Sequence, residues 1–144
     1  MSSASFLSPE EEQEVVAAIS QAELLTSGEI RVHIEGHTDQ NHFDRAVDLF
    51  HELKMDTTAL RNGVLIYVAV QDKTFIIYGD QGINDVVAPN FWDTTKDAIQ
   101  AHFRKGNFKK GLVAGILKSG EALKTHFPRE EDDINELTND ISKS

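Results

Sequence analysis

Residues Val64 to Val70 are seven consecutive apolar side chains, closed by Asn62-Gly63 on one side and Gln71-Asp72-Lys73 on the other. A run that short, framed by turn formers and lacking alternation, predicts a central β-strand covered on both faces. Such a strand needs layers above and below it. Gln71-Asp72-Lys73 has room only for a tight turn, which makes Thr74 to Tyr78 an antiparallel hairpin partner.

Upstream, Glu29 to Glu35 alternates strictly, Ile30, Val32 and Ile34 to one side and Glu29, Arg31, His33 and Glu35 to the other. That pattern predicts a strand wet on one face, with His33 and its charged neighbours as the solvent side of an edge strand. Between the two strands, Phe43, Ala46, Val47, Phe50 and Leu53 recur at steps of three and four, an amphipathic helix. Strand, helix and strand in that order imply a right-handed parallel crossover.

The flanks read as helices. Ser8-Pro9 followed by Glu11 is an N-cap, a first-turn proline and a capping-box acid, and the helix they start runs to about Leu25 before Ser27-Gly28 breaks it. Gly79 to Pro89 reads as a loop. Phe91, Trp92, Thr95, Ile99 and Phe103 then form a helix ended by Gly106, and Phe108, Leu112, Ile116, Leu123 and Phe127 form a last one ended by Pro128. Residues 1–128 are therefore expected to be one α/β domain. The acidic stretch from Arg129 to Ser144 is expected to be a loosely held tail, although Ile134, Leu137 and Ile141 keep a helical spacing.

Charge narrows the function classes. The net charge is -10, of which the tail supplies -4, so nucleic-acid backbones and anionic lipid surfaces are repelled on average. Cations are the natural small partners. The start of the chain has no basic residues followed by an apolar core, and no stretch of apolar residues is long enough to span a bilayer, so the expected location is cytoplasmic, without membrane insertion. With no cysteine there is neither a disulfide nor a thiolate nucleophile.

The strings SGEIRVHIE, RNGVLIYVAV-QDK, YGDQGIND, FWD, HFRKGNFKKGLVAGI and DDINEL, in that order, resemble the TPM domain family, in particular its short stand-alone branch. The resemblance implies a three-layer αβα sandwich around a small mixed sheet, in agreement with the pattern above. It also implies two activities described for members of the family: acid phosphatases, and binders of calcium or magnesium. Membrane-bound relatives carry a leader and a transmembrane tail that this sequence does not show.

Topology gathers one set of acids. Glu29 opens the first strand, Asn62 precedes the parallel second, and Tyr78 closes the antiparallel third, so Glu29, Asp56, Asn62, Asp80, Asn84 and Asp85 fall at one end of the sheet. Ca2+ and Mg2+ take oxygen ligands from carboxylates, amides and carbonyls on such loops. The plainer reading is that Asp80 and Asp85 make turn and helix-cap hydrogen bonds. GDQGIND lacks the glycine and glutamate positions of an EF-hand, and neither a nucleophile elbow nor a phosphate loop is present. His33 and His37 lie on a strand and its exit, roughly 13 Å apart, too far to share a metal. Arg104, Lys105, Lys109 and Lys110 form one basic cluster, read as solvated cations or, at the start of the last helix, as an anion site. The leading expectation is a binding module taking Ca2+ or Mg2+ and responding to it, with a protein partner still to be identified. The alternatives are a metal-assisted acid phosphatase and a metal-indifferent interaction scaffold.

Overall fold

The computed structural model describes residues 6–129 and 141–143. Helix α1, Pro9–Glu23, starts as its sequence dictates: the Ser8 hydroxyl accepts the Glu11 amide at 3.1 Å while the Glu11 carboxylate accepts the Ser8 amide at 3.0 Å. Strand β1, Glu29–Glu35, leads to α2, His42–Glu52, and a turn of 3-10 helix at Met55–Thr57. Strand β2, Gly63–Ala69, and β3, Thr74–Gly79, form the hairpin, followed by a short helix α3, Gln81–Asn84. Helices α4, Phe91–Phe103, and α5, Phe108–His126, precede a two-residue strand β4, Ser142–Lys143.

The sheet order is β3-β2-β1-β4, with β1 parallel to β2 and to β4, and β2 antiparallel to β3. Alternation along β1 and β2 sends Ile30, Val32, Ile34, Val64, Ile66 and Val68 to one face, where they pack on Val15 and Ile19 of α1 and on Leu112, Ile116 and Leu123 of α5. Leu65, Tyr67 and Ala69 go to the other face and meet Ala46, Leu49 and Phe50 of α2. Helices on both sides of a mixed sheet make the expected αβα sandwich.

Three expectations change. β1 is not a wet edge: Glu29, His33 and Glu35 are buried, with β4 pairing outside β1 at His33 and Ile34 and Arg45 of α2 reaching over to Glu35. The expectation of a loose tail does not hold for residues 141–143, where Ile141 packs on the core and Lys143 pairs with Glu12 of α1; residues 130–140 lie outside the described residues. The stretch from Gly79 to Pro89 is not all loop, since Asp80 caps a helical turn. Among the described residues no helix is long and apolar enough to cross a membrane.

Candidate functional site

At the end of the sheet where β1 and β2 begin and β3 finishes, two loops touch. A Cβ on Gly82 would lie 2.1 Å from the Leu60 carbonyl oxygen and 2.5 Å from that of Arg61, so only glycine lets the segment before β2 cross the start of α3. That crossing places Arg61 over Asp80. Arg61 takes a left-handed backbone conformation with φ of 53°, and its side chain forks onto the carboxylate, Nε donating to Oδ2 at 3.1 Å and Nη2 to Oδ1 at 3.2 Å.

Asp80 is 4% exposed, while the Arg61 side chain is 56% exposed. The Asp80 carboxylate also accepts the Gln81 amide at 2.7 Å, capping α3. The hydrogen bonds to Asp80, and then its charge, hold the Arg61 guanidinium above its ordinary pKa. Asp56 belongs to the same neighbourhood. Its carboxyl is held below the usual range first by a hydrogen bond from His51, at 2.9 Å, and further by the Arg61 charge.

The other sequence candidates are placed differently. Asn84 is committed at both ends of its amide, Nδ2 donating to the Gly79 carbonyl at 2.9 Å and Oδ1 accepting the Trp92 indole N–H at 2.7 Å. Asn62 is buried; its amide nitrogen reaches the Ser27 hydroxyl at 3.4 Å and its backbone carbonyl accepts the Glu29 amide. Asp85 ends α3 with an exposed side chain. Glu29 and Asp80 flank Gly63, and the ring of Phe50 and the Met55 carbonyl fill the space over that glycine, so the two carboxylates do not converge.

Glu29 instead faces Glu23, a buried acid at the end of α1 that sequence reasoning missed. Glu23 Oε2 accepts the Ile30 amide at 2.7 Å on the β1 edge, and Oε1 has no hydrogen-bond donor among the described residues. Burial pushes the Glu23 carboxyl up to about 9; the Ile30 hydrogen bond opposes this, and the Glu29 charge adds to it. Burial and the neighbouring Glu29 charge thus both favour the protonated form of Glu23.

The opposite end of the sheet carries a second missed cluster. Asp72 accepts from His37 Nδ1 at 2.6 Å, His42 Nε2 at 2.9 Å and the Thr38 amide at 3.2 Å, tying the loop after β1 to the hairpin turn. These bonds lower the Asp72 carboxyl to about 2 and raise His37, whose Nε2 also meets Asp39 at 2.6 Å. Beneath them Arg45 and Tyr67 both donate to Glu35, and burial lowers the neighbouring His33 to about 4. Among the described residues no three His, Asp or Glu side chains are arranged to hold a metal ion as they stand.

The comparisons with known proteins bear on the fold. The BA42 protein of the psychrophilic bacterium Bizionia argentinensis, solved by NMR, is 63% identical, with a TM-score of 0.91 and 96% of each chain covered. The N-terminal domain of a P. gingivalis protein is 19% identical, with a TM-score of 0.71 over 89% of this chain and 85% of that one. The N-terminal domain of the cg2496 protein of Corynebacterium glutamicum is 13% identical, with a TM-score of 0.65 over 81% and 74%. At those identities the last two speak for the fold alone. No curated protein matches the chain. The family model of the TPM domain matches residues 1–122, and with the αβα sandwich and the crossed loops in place, the chain belongs to the TPM domain family.

Proposed function

We propose that this TPM domain is a binding module for a divalent cation, Ca2+ or Mg2+, in which Arg61 guards Asp80 until an ion takes its place. The observation that supports the reading is the forked Arg61–Asp80 pair, a buried carboxylate answered by a cation whose side chain stands mostly in solvent. A buried carboxylate without a counter-charge is strongly unfavourable, so a departure of Arg61 favours a replacement cation at Asp80. Arg61 can swing into water, and a divalent ion then brings twice its charge to the same place.

The ligand set narrows accordingly. Asn62 and Asn84 are engaged in structural hydrogen bonds and Glu29 faces Glu23. Asp80, Asp56 and Asp85 remain, with backbone carbonyls and water completing the oxygen shell. Leu60 and Val86 are exposed beside the crossing, so displacement of Arg61 would reshape a surface open to a protein partner.

The test is a titration with Ca2+ and with Mg2+ followed by amide shifts. Responses should centre on residues 56–62 and 79–86, Arg61→Ala should tighten binding by removing the competitor, and Asp80→Asn and the exposed Asp85→Asn should weaken it. No response at millimolar ion, or a response centred on Asp72, would refute the reading.

A further inference from the structure

At the other end of the sheet, away from Asp80, a cavity of 690 Å³ opens between the β2–β3 turn and the junction of α4 and α5. Its floor is aromatic. Phe6 precedes α1, Phe75 lies on β3, Phe103 ends α4 and Phe108 starts α5, and all four line it. The Phe6 and Phe108 rings lie 4.4 Å apart, Phe75 and Phe103 meet edge to face at 5.2 Å, and Phe103 and Phe108 at 5.5 Å. Three of the four are only half-buried, so apolar ring surface faces the hollow rather than closing on itself. Gly111 lets α5 lie close against this floor: a Cβ there would sit 2.5 Å from the Phe103 ring.

The rim is cationic in a chain of net charge -10. Lys73 and Arg104 line the mouth, and neither makes an ion pair among the described residues, whereas Arg45, Arg61, Lys109 and Lys143 are each paired with an acid. Gly106, at φ of 76°, turns the chain from α4 into α5 with open space around its Cα, and α5 begins there without a side-chain cap. Its positive end and two unpaired cations therefore stand beside an apolar hollow. The volume is that of a small-molecule site, and a few polar groups at the mouth of an aromatic pocket fix a ligand's orientation.

We infer that this cavity binds a small amphipathic anion, an aryl or medium-chain carboxylate whose apolar part lies among the four phenylalanine rings and whose carboxylate meets Lys73 and Arg104. Apolar walls reject a fully hydrated anion, and the two unpaired cations favour a negative head group over a neutral or positive one. A ring or short chain carrying one negative charge matches both parts. The inference is independent of the ion reading, because it uses none of the residues around Asp80.

The probe is 4-phenylbutyrate, with 4-phenylbutanol as the uncharged analogue, each titrated into the full chain and followed by amide shifts. Shifts at Thr74 to Ile76 and at Phe103 to Phe108 are expected with the acid, and its affinity should exceed that of the alcohol. Lys73→Ser and Arg104→Ser lie on exposed side chains and should each cost the acid about tenfold, the effect of one charge-assisted hydrogen bond, while leaving the alcohol unchanged. Gln100→Trp, which fills the hollow from α4, should abolish both. Shifts scattered over the surface, equal affinity for acid and alcohol, or rim variants that bind the acid as the parent does would each overturn the inference. A response only to a peptide or protein probe would overturn it as well.

Discussion

Glu23→Gln gives the sharpest test of the buried acid pair. The Glu23 carboxyl is raised from 4.5 to about 9, so between those values the native protein holds a proton that the unfolded chain has released. A group with a raised folded pKa contributes stability below its unfolded pKa and loses it as pH climbs toward the folded one. From pH 7 to 8.5 the expected loss is on the order of 2 kcal/mol. A glutamine reproduces the protonated acid: its carbonyl can accept the Ile30 amide and its NH2 can donate to Glu29, with no proton to lose.

Other titrating groups do not obscure the comparison. His33, lowered to about 4 by burial, contributes stability that is lost as pH falls, below the chosen window. His37 is raised by its bonds to Asp72 and Asp39, so its contribution is lost on the alkaline side, but it is exposed and common to both proteins. The assay is urea unfolding of the parent and of Glu23→Gln at half-unit steps between pH 6.5 and 8.5. The variant should hold nearly constant stability while the parent declines, the two diverging steadily. Parallel curves, or a variant destabilised equally at every pH, would refute the claim that Glu23 is protonated in the folded protein.

Two further outcomes follow. Deleting residues 141–144 removes β4, the Ile141 contact and the Ser142 hydroxyl that lies 3.1 Å from His33 Nδ1. Stability should drop by about 1 to 2 kcal/mol, and the His33 titration should move up from about 4 as water reaches the ring, read from its ring-proton NMR shifts; an unchanged His33 would show that β4 does not shield it. With 4-nitrophenyl phosphate and Mg2+, turnover should stay at the buffer background, and turnover lost in Asp80→Asn but kept in Asp72→Asn would put the phosphatase reading first.

The elements were legible because each is written in a local code. The capping box at Ser8 and Glu11, the apolar run of β2 and the tight turn before β3 depend on neighbours a few positions away. Even the shared sheet end of Glu29, Asn62 and Asp80 follows from strand order and direction, which the crossover rule supplies. What periodicity cannot report is whether a polar side chain meets water or a partner. In β1 the alternation of Glu29, Arg31, His33 and Glu35 is real, yet the face it marks is a buried polar one: Glu35 is answered by Arg45 from α2 and Tyr67 from β2, and His33 stacks on Tyr67 with ring centres 6.1 Å apart. Each answering residue is set by tertiary register and not by spacing along the strand.

The candidate site shows the same limit more sharply. Asp80 carries equally well the signals of an ion ligand and of a helix cap, and the residue that answers its charge, Arg61, reaches it only because a non-glycine residue adopts a left-handed backbone and Gly82 yields space to two carbonyls. Neither condition leaves a trace in hydrophobic pattern. The physical consequence is that the acids at this end are not equivalent. Asp80 is buried and answered by the Arg61 guanidinium, Asp85 is exposed, and Glu29 faces Glu23, whose carboxyl burial and the Glu29 charge push up. On the proposed reading, an ion competing with Arg61 would act on one carboxylate first, and the affinity it reached would depend on how readily a single arginine leaves.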